Sequence, residues 1–100
     1  MRMQYAPIAV LLGFAALPAL AGEQPVALKP GQGMDVTASS CNICHSLDYI
    51  RMNSVFLTPE GWKAEVTKMR AVFGAPIDDA TAAAIQHYLA TQYAVPPPKS

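Results

Sequence analysis

The stretch "SSCNICHSLDY", residues 39–49, holds both cysteines of the chain and one of its two histidines, in the order C-x-x-C-H. Three chemistries use such a cluster. A thioredoxin-like cysteine pair belongs beside a βαβ pattern, and no strand is convincing anywhere in this sequence. A structural zinc site needs four ligands; once Cys41, Cys44 and His45 are used, only His87 remains and no cysteine is left. The third reading lacks nothing, because C-x-x-C-H is the attachment sequence of a c-type haem. Two cysteines three positions apart on a helical turn share a face and reach two vinyl groups as thioethers. His45, next in the chain, then places its imidazole under the iron.

Working outward, residues 34–40 read as a short helix running into the motif, with Asp35 in its first turn. "SLDYIRMNSVFL" (46–57) shows no sustained period and reads as loop, with a turn near Asn53 and Ser54. Thr58-Pro59-Glu60 is a helix start: Thr58 as N-cap, Pro59 at the first helical position, Glu60 favoured by the dipole. That helix is expected to reach Phe73 and stop at Gly74, with Pro76 beyond. Asp78 caps a last helix through about Tyr93, and "VPPPK" (95–99) is an exposed polyproline segment. The fold class is all-α, with three to four short helices. A core of Val36, Ile43, Leu47, Trp62, Val66, Phe73, Ile77, Ile85, Tyr88 and Leu89 is thin for a chain of this size, and a bound apolar cofactor would complete it.

The start of the chain reads differently. Met1-Arg2 supplies a positive charge, "APIAVLLGFAALPAL" (6–20) carries none, and Ala19-Leu20-Ala21 forms a small-x-small cleavage site. That is the pattern of a secretory signal peptide. Gly13 and Pro18 interrupt the run, which falls short of the roughly 20 apolar residues of a membrane span. Cleavage after Ala21 is therefore expected. It leaves a mature chain with no membrane span, in the periplasm, where cysteines meet oxidising conditions. Lys plus Arg and Asp plus Glu number seven each, so no basic patch points to nucleic acid or anionic lipid. No Ser/His/Asp set or carboxylate pair suggests hydrolysis, and the haem reading makes an electron-transfer protein, not an enzyme, the expectation.

The second axial position of a haem decides between electron transfer and ligand chemistry. At about 100° per residue, Trp62, Val66, Met69 and Phe73 fall within about 60° of one another on their helix. Met69 thus points into the core, as an ordinary gap-filler or as the distal ligand. Met52, in "IRMNS", is the rival; Met34 precedes the motif and would have to reach around the haem. His87 lies opposite the apolar face of the last helix and reads as solvated. Trp62, Tyr49 and Tyr88 are packing residues that could also donate to a haem propionate.

"CNICHSLDYIRMNSVFLTPEGWKAEVTKMRAVFGAPI", continuing into "IQHYLATQY", resembles class I cytochromes c. More closely, it resembles the small monohaem cytochrome subunit of bacterial sulfite dehydrogenases, over about residues 33–93. The resemblance implies a domain at 33–93, preceded by the signal peptide (1–21) and an extended arm (22–32) and followed by a Pro-rich tail (94–100). It implies one covalent haem c on Cys41 and Cys44, His45 as proximal iron ligand and Met69 as distal. It further implies a molybdopterin-containing sulfite dehydrogenase subunit as electron donor and a soluble cytochrome c as acceptor. Gly33 matches the glycine at which the first and last helices of that family cross. The carbonyl of Pro59 matches the usual acceptor of the proximal histidine's Nδ1–H. Thr37 departs from the aromatic usual at its position, which implies a looser crossing. A free-standing carrier, the partner of another dehydrogenase, and a haem sensor or small-ligand binder are the alternatives.

Overall fold

A computed structural model describes residues 2–4, 6–13, 15 and 26–99. The cleavage site expected after Ala21 and the first part of the arm lie outside them. Four helices follow in order: α1 (Met34–Cys41), α2 (Asp48–Asn53), α3 (Pro59–Ala71) and α4 (Asp79–Gln92). Among the described residues there is no strand, and no helix is long and apolar enough to cross a membrane. The expected all-α fold is the observed one.

Local chemistry sets the two longer helices. Thr58 is extended and its side chain accepts from the Gly61 N–H at 3.1 Å, with Pro59 opening α3. Asp78 does the same for α4, accepting from the Thr81 N–H at 2.7 Å. Each cap satisfies one of the donors that a helix start leaves unpaired. α3 ends at Ala71, two residues before the expected Phe73, and Gly74 adopts φ 70°. The Ala75 N–H then donates to the Met69 carbonyl at 2.9 Å, so the chain folds back over the last turn of α3.

α4 packs against both α1 and α3. Gly33, at φ 94°, lies so close to α4 that a Cβ there would stand 3.0 Å from the Tyr88 Cβ and 3.1 Å from the Ala84 carbonyl oxygen. Thr37, one turn further along α1, is 0% exposed. The crossing implied by the resemblance is present, and it is close, not loose. A small β-branched residue lets the helices approach where an aromatic would fill space.

Residues 46–57 are not a loop throughout, because Asp48–Asn53 forms α2. Six residues carry too few apolar positions to show a period. Tertiary contacts hold them: Ile50 is 2% exposed and the Tyr49 hydroxyl donates to Glu65 of α3 at 2.6 Å.

The buried cluster is Leu28, Ile50, Trp62, Val66, Ala82, Ile85, Tyr88, Leu89 and Tyr93, with Val36, Leu47 and Ile77 partly buried against it. Two expected core residues are exposed instead. Ile43, 63% exposed, lies between the two cysteines, and a turn that brings Cys41 and Cys44 to one side sends its middle residues to the other. Phe73, 65% exposed, stands past the end of α3 at the mouth of a cavity.

The arm is strapped down over its described part. Leu28 is buried, the Lys29 N–H donates to the Tyr93 hydroxyl at 2.7 Å, and the Tyr88 hydroxyl donates to the Lys29 carbonyl at 2.5 Å. Residues 96–99 are exposed and carry no regular structure.

Candidate functional site

One cavity of about 400 Å³ lies between the end of α1, the last turns of α3 and the face of α4. Cys41, Cys44 and His45 form one wall of it, Met69 and Val66 another, and Phe73, Ile77 and Ile85 most of the remainder. Its volume falls in the range of roughly 300–1,000 Å³ typical of cofactor pockets, which are mostly apolar with few polar groups. Among the described residues, Ser40, His45 and the two cysteine thiols are the polar groups in an otherwise apolar lining.

Each wall residue is held there by local structure. Cys41 is the last residue of α1, and a turn carries the chain to Cys44 and His45. Both cysteines are free thiols, and burial pushes the Cys41 thiol above its usual range. Among the described residues no three His, Cys, Asp or Glu side chains gather into a metal cluster. Met69 reaches the cavity from the α3 face that also buries Trp62 and Val66.

All four residues expected to hold a cofactor thus line the same cavity. Met52 does not. It is 70% exposed on α2 and absent from the cavity wall. His87 is exposed, as expected.

Other expectations change. The His45 Nδ1 meets the Ser46 carbonyl at 2.9 Å, and Pro59 is not its partner. The Ser46 carbonyl is in the adjoining peptide, which is a nearer acceptor than one on α3. The three aromatic residues considered as propionate donors are engaged elsewhere. Trp62 Nε1–H donates to the Tyr93 carbonyl at 2.8 Å, and the Tyr88 hydroxyl donates to the Lys29 carbonyl. Tyr49 donates to Glu65, whose other oxygen accepts from Lys68 at 2.9 Å.

That last group touches the site. The rings of His45 and Tyr49 are 5.3 Å apart. Its hydrogen bond to Glu65 pushes the Tyr49 hydroxyl up to about 12. Tyr49 first, and Lys68 second, hold the Glu65 carboxyl below its ordinary range. Sequence reasoning missed this group because the Tyr49–Glu65 bond joins residues sixteen positions apart, on two different helices.

A helical domain with an apolar cavity lined by both a C-x-x-C-H sequence and a methionine defines a haem-binding domain of cytochrome-like fold. Comparison with known families makes this specific. Residues 31–100 match the family described as quinohemoprotein amine dehydrogenase A, alpha subunit, haem binding, and the chain belongs to that family. No curated protein matches the chain.

Proposed function

We propose that this chain is a monohaem c-type cytochrome domain that relays single electrons from a dehydrogenase to a soluble cytochrome c. The observation that carries the reading is the convergence of Cys41, Cys44, His45 and Met69 on one apolar cavity. A haem bound there supplies one-electron chemistry at its iron. The chain's own residues do the rest. The Cys41 and Cys44 thiols would hold the group as thioethers, and His45 Nε2 and Met69 Sδ would be the side-chain ligands to its iron. Val66, Ile77 and Ile85 exclude water from its faces. Methionine ligation raises the potential of a haem, which suits a group that accepts electrons and hands them on. The protein's task is to position and tune the cofactor, not to transform a substrate.

On the electron donor, the family match favours an amine dehydrogenase or another dehydrogenase of related design. The sulfite dehydrogenase reading rests on the likeness of residues 33–93 alone. Export through a signal peptide cleaved after Ala21 belongs to the same proposal, since haem attachment to C-x-x-C-H and a dehydrogenase partner both fit the periplasm.

The test is expression in a host that matures c-type cytochromes. Haem should stay with the chain through acid–acetone extraction, and Cys41→Ala/Cys44→Ala should release it. Extraction of haem from the unaltered chain would overturn covalent attachment. Reduction by a quinoprotein amine dehydrogenase with amine, set against a molybdenum sulfite dehydrogenase with sulfite, separates the donors. Carbon monoxide binding to the reduced, unaltered protein would instead point to the ligand-binder reading.

A further inference from the structure

The Tyr49–Glu65 hydrogen bond lies beside the cavity and ties residues at matched spacing from two of its lining residues, His45 and Met69. Tyr49 is four residues after His45, and its ring lies against the His45 ring. Glu65 is four residues before Met69, one turn up the same side of α3. The Tyr49 hydroxyl donates to Glu65 Oε2 at 2.6 Å, and Lys68 Nζ fixes the other carboxylate oxygen at 2.9 Å. The carboxylate is thus held by two donors, one of them on α2. Bonds to an ionised acceptor are shorter and stronger than neutral ones.

We propose that Tyr49 and Glu65 form a clamp beside the cavity, positioning the helix that carries Met69 against the segment that carries His45, so that Met69 stays at the iron. The inference rests on the haem reading above. Displacing Met69 by an outside ligand requires the last turns of α3 to swing away from the cavity, and the clamp sits one turn from that movement. Weakening it raises the fraction of molecules open to such a ligand. Apparent affinity for the ligand rises by the same factor.

The experiment uses the haem-loaded full chain in its ferric form, with imidazole as the competing ligand. Loss of the long-wavelength iron–sulfur band is followed at one pH. Tyr49→Phe, which keeps the ring, and Glu65→Ala are each expected to bind imidazole roughly tenfold to a hundredfold more tightly than the unaltered chain, the range for losing one charge-assisted hydrogen bond. Glu65→Gln, which keeps an acceptor, should fall between. The double variant should be no worse than either single one, since both remove the same bond. Circular dichroism melts supply the control: a lower melting temperature with unchanged imidazole affinity would make the bond merely structural and overturn the clamp, as would additive effects in the double variant. Failure of the haem reading has a different mark, an unaltered chain with no haem or no iron–sulfur band.

Discussion

Gly33 and Tyr88 are in contact at the crossing of α1 and α4, where a methyl group on Gly33 would stand 3.0 Å from the Tyr88 Cβ. The neighbour on the other side is backbone, the Ala84 carbonyl oxygen at 3.1 Å, which cannot turn aside as a side chain can. Gly33 also holds φ 94°, a region that costs other residues on the order of 1–2 kcal/mol. Strain and crowding therefore add. Gly33→Ala is expected to lose about 2–4 kcal/mol of stability. Gly74, at φ 70°, has nothing within 4 Å, so Gly74→Ala meets the backbone term alone, about 1 kcal/mol. Chemical denaturation of both variants checks the order, and equal losses would remove the packing part of the argument.

Thr37 gives the opposite sign. Its side chain is fully buried at the same crossing, and its hydroxyl oxygen has no hydrogen-bond partner among the described residues. A buried polar group without a partner costs about 1–3 kcal/mol. Thr37→Val keeps the branched shape and removes the hydroxyl, so it is expected to stabilise the fold by about 1 kcal/mol. A destabilised valine variant in the same denaturation assay would mean that the hydroxyl is satisfied, for instance by an internal water.

The contrast between these positions and the rest of the chain shows which parts of the fold a sequence reveals. α3 and α4 were legible because their start signals are local: Thr58 and Asp78 each cap a backbone N–H three residues on. The cavity wall was legible for the same kind of reason. C-x-x-C-H is contiguous, and Met69 shares a helical stripe with Trp62 and Val66. α2 was not legible, because what holds it is the burial of Ile50 and a bond from Tyr49 to a residue sixteen positions away. Leu28 and Tyr93 were missed likewise, since the arm meets the end of α4 across a separation of 64 residues. Periodicity cannot see such pairings.

Acid sensitivity should appear at the start of α4. The Asp78 carboxylate accepts from the Thr81 backbone N–H, and that bond holds its carboxyl below the ordinary value of 3.8. A carboxyl whose pKa is depressed by folding adds stability that is fully present above its unfolded value and is lost as pH falls through its folded value. Unaltered protein should therefore lose the cap contribution only below about pH 3.8. Asp78→Asn keeps an acceptor that does not titrate. The difference in stability between the two proteins, measured by denaturation at pH steps, should shrink in that acid window and stay constant above pH 5 or so. A difference that does not change with pH would remove Asp78 as its source.

Met69 and Met52 are the two methionines weighed for the distal position, and the cavity treats them differently. Met69 lines the same cavity as Cys44 and His45, on the helical face that buries Trp62 and Val66. Its own carbonyl is tied by the Ala75 N–H at 2.9 Å, which fixes the last turn of α3. Met52 is 70% exposed on a helix of six residues and would have to leave the surface to reach the cavity. Met69→Ala in the haem-loaded chain is expected to abolish the long-wavelength iron–sulfur band, lower the reduction potential, and open the reduced iron to carbon monoxide. Haem should stay attached, because Cys41, Cys44 and His45 are untouched. Met52→Ala should leave band, potential and carbon monoxide resistance unchanged, and being exposed it should alter stability by no more than about 0.5 kcal/mol. If the band survives in Met69→Ala and disappears in Met52→Ala, α2 moves onto the iron when haem binds, and Met69 is ordinary core.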